Sequence, residues 1–216
     1  MYTVPEKKDV DLLMERFCQD ALSELKSYDR KLRNKLIRGE ETATTHGFYT
    51  NFPKGISIYG VTEPIIKWLI FTGLCDKYCM NTEYWTSDGK FLDLALSVNP
   101  DSDFLDIAIE MKWAGFRKKD GRIYENYRLS MIDDAVKLHK MNIPYKYLMQ
   151  FAILSEDEYK RIDFKATYDD FHIFDKRQFR NGVLSPAPIF KNSFPTWDKD
   201  SNPRRFAMFV WEVSRQ

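Results

Sequence analysis

Residues that staple or chelate are scarce in this chain. It has three cysteines, Cys18, Cys75 and Cys79, and three histidines in 216 residues. An odd number of thiols excludes a complete disulfide framework, and no histidine is spaced to complete a zinc site with Cys75 and Cys79. Reduced, buried thiols are expected, as in a cytoplasmic protein. An excess of one charge is also missing. With 33 basic and 32 acidic residues the net charge is +1, so no global polyanion-binding signature exists and any nucleic-acid surface must come from local clustering. No apolar run approaches the roughly 18 residues of a membrane helix. The N-terminus is charged and lacks an apolar core, so no secretory signal and no membrane partner are expected. There is no repeat and no low-complexity segment.

What is present is 44% apolar residues, enough to bury a core. The expected organisation is a helical segment and loop over 1–60 packing on the core, a catalytic core over 61–155, and an elaboration of the same domain over 156–216. Leu12, Leu13, Phe17, Ala21, Leu22, Leu25, Tyr28, Leu32 and Leu36 recur at helical spacing, predicting one long helix or two joined ones over 9–38, ended by Gly39. Its basic end, from Lys26 to Arg38, is either a solvated face or a phosphate-contacting one. Residues 40–60 read as a loop containing His46, with a short strand at 56–59. A buried helix is predicted over 62–80, with Ile65, Ile66, Trp68, Leu69, Ile70, Leu74 and Cys75 on its apolar face. Pro64 suits its first turn, which puts Glu63 at or near the N-cap. A short strand over 81–85 and a turn at Ser87-Asp88-Gly89 follow.

The segment from Lys90 to Trp113 carries the chemistry. Leu92, Leu94, Leu96 and Val98 alternate along one arm; Ile107, Ile109, Met111 and Trp113 alternate along the other. Period-two alternation marks half-buried strands, and Asn99-Pro100-Asp101-Ser102-Asp103 between them marks a turn. Closing the hairpin sets Asp93 opposite Glu110, Ala95 opposite Ala108, and Ser97 opposite Asp106. Lys112, two residues beyond Glu110, shares its face. Two opposed carboxylates repel unless a cation lies between them, and two alanines leave room for one. A divalent metal on paired carboxylates beside a lysine is an arrangement for phosphodiester cleavage.

Beyond the hairpin, Arg117, Lys118, Lys119 and Arg122 form a basic loop leaving the strand just past Lys112, where a nucleic-acid backbone would be gripped. A helix is predicted over 124–141, with Leu129, Ile132, Val136 and either Leu138 or Met141 inward. The run YKYLMQFAIL over 145–154 suits a strand covered on both faces. Its Gln150 needs either a core partner or a place in a cleft. A short helix capped by Ser155 and strands over 171–174 and 206–213 are expected. An irregular, proline-containing segment lies between the two strands. In it Phe190, Phe194 and Trp197 are either base-stacking or satellite-core residues.

Glu63 near a helix start, Asp93 in one strand and Glu110-Met111-Lys112 in the next resemble the PD-(D/E)xK nuclease superfamily. The likeness covers residues 60–155. The literal Pro-Asp pair, Pro100-Asp101, falls in the turn, so Asp93, which follows Leu92, takes the place of the strand acid. The resemblance implies an α/β fold with a restriction-endonuclease-like αβββαβ core, a mixed central sheet, an N-terminal helical extension and a C-terminal β-containing elaboration. It implies a Mg²⁺-dependent deoxyribonuclease in which Mn²⁺ substitutes. Asp93, Glu110 and the Met111 carbonyl would hold the metal. Lys112 would position or deprotonate the attacking water, and Glu63 would assist. DNA is the expected partner, with a homodimer left open. The alternatives are a non-catalytic nucleic-acid- or protein-binding domain that keeps the fold, and a purely structural polar hairpin face.

Overall fold

A computed structural model describes residues 2–37, 58, 61–86, 89, 91–101, 104–113, 133–161, 188–197 and 202–214. Along the chain come α1 (Lys7–Ile37), α2 (Glu63–Leu74), β1 (Met80–Trp85), β2 (Phe91–Leu96) and β3 (Ile107–Trp113). A helical stretch over 133–139, α3, follows. Then come β4 (Tyr145–Leu154), α4 (Glu156–Arg161), β5 (Phe190–Trp197) and β6 (Pro203–Glu212). The six strands form one mixed sheet in the order β1-β2-β3-β4-β6-β5. β3 and β4 are parallel, with α3 in the connection between them, and the other neighbours are antiparallel.

Both faces of the sheet are covered. On one, Met14, Phe17, Ala21 and Leu25 of α1 and Ile66, Ile70 and Leu74 of α2 pack on Leu94, Ile109, Met111, Tyr147, Phe151 and Phe206. On the other, Ala135 and Leu138 of α3 pack with Ala108, Leu148, Ala152, Phe209 and Trp211. The ten residues of β4 are therefore all buried, as a continuous apolar run requires.

Several expectations are corrected. The first helix is unbroken; Val10, Met14 and Cys18 line its buried face, while Leu12 is exposed. The second helix stops at Leu74 and Met80 opens β1. Its apolar face is narrower than predicted, because Ile65 and Trp68 are exposed. Of the thiols only Cys18 is buried; Cys75 and Cys79 are exposed. Val136 faces outward and Ala135 inward, a rotation of the predicted α3 face. The segment expected to be irregular contains β5. Pro195 is tolerated there because, among the described residues, β5 pairs only with β6, so a missing N–H breaks no described ladder on its other side. Phe194 is a core residue stacked on Phe206, and Trp197 lies under the Arg33 guanidinium, 5.0 Å away. Ser155 caps α4 as predicted: its Oγ accepts the Glu158 N–H at 3.2 Å, and the Glu158 carboxylate accepts the Ser155 N–H at 2.6 Å, a capping box. The predicted end at Gly39, His46, Leu129, Ile132 and the strand over 171–174 lie outside the described residues, as does all of the 56–59 strand except Ile58.

Candidate functional site

The site forms where β2 separates from its neighbours. The β2–β3 ladder pairs Leu96 with Ile107, Ala95 with Ala108 and Leu94 with Ile109, the register that the alternation predicts. The pairing stops there, at the rung that would join Asp93 to Glu110. The β1–β2 ladder skips the same rung: Thr82 pairs with Leu94 and Tyr84 with Leu92, while Glu83 between them has φ of 50°. A left-handed glutamate costs energy, and such strain gathers at functional sites.

This break changes one predicted detail. Leu92 packs in the second cluster, not beside Leu94 and Leu96 in the first, and Asp93 turns into the seam between β2 and β3. Its Oδ2 accepts the Met111 N–H at 2.7 Å, and its Oδ1 accepts the Lys67 ammonium of α2 at 2.7 Å. Lys67 also reaches Glu83 at 3.2 Å.

Glu110 leaves β3 on the Ala108 side and is only 3% exposed. Its Oε1 lies 2.5 Å from the Lys137 ammonium of α3, which also donates to the Phe91 carbonyl at 2.9 Å. Lys112 stands 3.1 Å from Asp134 and 3.7 Å from Glu63. Glu63 is the first residue of α2, after the N-cap Thr62, and its other oxygen accepts the Trp113 N–H at 2.8 Å. Each predicted carboxylate is thus at the seam, and each meets a lysine.

Burial governs the protonation of these groups. It pushes the Glu110 carboxyl up to about 8; the neighbouring Asp93 charge adds to the rise and Lys137 opposes it. Burial also raises Glu63 against the pull of the Trp113 N–H and Lys112, and raises Asp134 against Lys112. For Lys112 burial alone would lower the pKa, but Asp134 and Glu63 outweigh it and leave it raised. Lys67 is raised likewise, burial being overcome by Asp93 and then Glu83. Lys112 is therefore a charged donor and not a free base.

Four residues of the seam do not stand out in the sequence. Lys67 follows Glu63 by one helical turn, and Asp134 and Lys137 lie three apart on one helix face. Those spacings are visible, but nothing in them says which strand they meet. Glu83 gives no signal because its backbone conformation is not encoded by its residue type. Gln150, for which the sequence leaves two roles open, pairs in register with Lys112. It is fully buried, and neither amide atom has a hydrogen-bond partner among the described residues. The basic loop of Arg117, Lys118, Lys119 and Arg122 lies outside the described residues.

Among the described residues no three His, Cys, Asp or Glu side chains are gathered into a metal-holding group. The donors at the seam nonetheless suit a hard cation. Asp93 and Glu110 offer oxygen only, the donor type preferred by Mg²⁺, which commonly takes one or two carboxylates and keeps its waters. Glu110 Oε1 has the Lys137 ammonium as its one described partner. No helix of the described residues is long and apolar enough to cross a membrane. Comparison with protein-family models, curated proteins and solved structures finds no significant match to this chain.

Proposed function

We propose that this protein is a metal-dependent deoxyribonuclease of the restriction-endonuclease-like kind, hydrolysing phosphodiester bonds at the β2–β3 seam. The observation that carries the reading is Asp93 and Glu110 flanking an interrupted rung of the sheet, with Lys112 and Glu63 just beyond it, from three separate elements. The order α2-β1-β2-β3-α3-β4 also matches the αβββαβ order that the resemblance implies.

Asp93 and Glu110 would hold Mg²⁺, with the Met111 carbonyl as a further ligand. Bound there, the ion supplies Lewis acidity and lowers the pKa of coordinated water. The remaining work belongs to the chain. The Lys112 ammonium donates to a water or to a phosphate oxygen and offsets charge developing on it. Asp134 and Glu63 hold that ammonium in place. Glu63, raised by burial and within reach of Lys112 as Asp134 is, would accept a proton from the attacking water.

A non-catalytic binding domain is the second reading, favoured by the fact that Asp93 and Glu110 are each already neutralised by a lysine. Incubating the protein with plasmid, linear duplex and single strands in Mg²⁺ separates the two. Cleavage by wild type that Asp93→Asn and Glu110→Gln each abolish, with unchanged circular dichroism, is the expected result. Cleavage that survives either substitution at saturating metal would remove the site from consideration, and DNA binding without cleavage would favour the second reading.

A further inference from the structure

The ligand carboxylates carry a counter-cation each. Asp93 holds Lys67 at 2.7 Å and Glu110 holds Lys137 at 2.5 Å. The two lysines come from opposite layers, α2 and α3, and converge on the two faces of one seam. With both carboxylates ionised, these four groups are together neutral. Both lysines keep part of their side chains in solvent, 16% for Lys67 and 26% for Lys137. Each also already donates to a second acceptor that could keep it once displaced, Glu83 at 3.2 Å for Lys67 and the Phe91 carbonyl at 2.9 Å for Lys137.

We infer that Lys67 and Lys137 are surrogate cations, displaced from Asp93 and Glu110 when a divalent ion binds and then free to hold the phosphates of the substrate. The inference rests on the metal-centre reading above and deepens it. Its physical basis is charge. A divalent ion on the two carboxylates adds up to two positive charges to the seam and releases two ammonium groups from their carboxylate partners. A phosphodiester backbone is the complementary partner. Metal and polyanion should therefore bind with positive coupling, each tightening the other by the same factor. Two observations support displacement over a fixed structural pairing. Each lysine already shares its ammonium with a second acceptor beside the carboxylate. Gln150, in register with Lys112, is buried with both amide atoms unpartnered among the described residues, so the polar strand centre beside Lys112 is incompletely satisfied without a ligand.

The test is calorimetric titration of Mn²⁺ into wild type, Lys67→Met and Lys67→Arg, without nucleic acid. Methionine keeps the helix propensity and the aliphatic stem, and unchanged circular dichroism checks the fold. Removing a competing charged hydrogen bond should tighten Mn²⁺ binding by about tenfold in Lys67→Met, while Lys67→Arg stays near wild type. In a second measurement, a duplex oligonucleotide is titrated with and without Ca²⁺. Wild type should bind it more tightly with Ca²⁺, and the Lys67→Met/Lys137→Met double variant should lose most of that gain. No Mn²⁺ binding by wild type overturns the metal-centre reading and this inference with it. Mn²⁺ binding that is unchanged or weaker in Lys67→Met, or a Ca²⁺ gain that survives in the double variant, overturns the inference alone.

Discussion

Glu110→Gln should stabilise the metal-free protein at neutral pH and remove the largest single part of its loss of stability as the pH rises. Glu110 is buried against Asp93 and Asp134, with Lys137 as its counter-charge, and its carboxyl titrates at about 8 instead of 4.5. Between those values the folded chain carries a proton that the unfolded chain has lost. Stability is therefore fully present below about pH 4.5 and falls as the pH rises towards 8. At about 1.4 kcal/mol per pH unit the loss is bounded near 5 kcal/mol, and relaxation of the seam brings the expected figure to about 2–3 kcal/mol. Glutamine has the neutral form's shape and no proton to lose, so the variant should lack this part of the decline, keeping only what Glu63, Asp134 and Asp29 contribute. Urea unfolding of both proteins at intervals from about pH 5 to about pH 9 reads the difference directly. Saturating Mn²⁺ should reverse the wild-type slope, because a metal binds the ionised carboxylate. Parallel curves for wild type and variant would refute the reasoning, since they would mean that Glu110 ionises in the folded chain as easily as in water.

Lys112→Ala should lose activity yet still bind Mn²⁺, because an ammonium has no lone pair to offer a metal. Calorimetry that finds no Mn²⁺ binding in a folded variant would show that the lysine's role is misassigned. Neutralising Arg117, Lys118 and Lys119 together in an Asp93→Asn background, with Ca²⁺ in place of Mg²⁺, should weaken duplex binding. The log–log salt slope should fall by about 0.9 for each phosphate that the protein no longer neutralises. An unchanged slope there, with a reduced one on neutralising Arg33 to Arg38, would move the binding surface to the first helix. Asp29→Ala should cost about 3 kcal/mol in urea unfolding, because a buried carboxylate that accepts the Ile58 N–H and the Thr196 hydroxyl and pairs with Arg33 leaves all three without it. A cost below about 1 kcal/mol would mean that this network behaves like an exposed ion pair.

Much of this architecture is legible in local pattern. Alternation along Leu94, Leu96, Ile107 and Ile109, with a turn between, fixes the hairpin and its register, because a one-residue slip would invert which face is apolar. The unbroken apolar run of β4 predicts burial on both faces, and the sheet provides it. The spacing Ser155 to Glu158 announces a helix start through two hydrogen bonds that need only those residues. Period and local hydrogen bonding act over a few residues, so sequence suffices for them. The seam is different. The break at Asp93 depends on three strands at once, and alternation assigns Leu92 to the wrong cluster because a single strand's pattern does not record a skipped rung. β5 is hidden in the sequence because Pro195 is allowed only at an edge, and the edge exists only once the sheet order is known. Lys67 and Lys137 read as ordinary helix-surface charges until packing sets α2 and α3 on opposite faces of one seam. The candidate acids are therefore written in the chain, but their counter-charges, burial and raised protonation are decided by contacts between residues distant in sequence, where burial and Coulomb forces act through space.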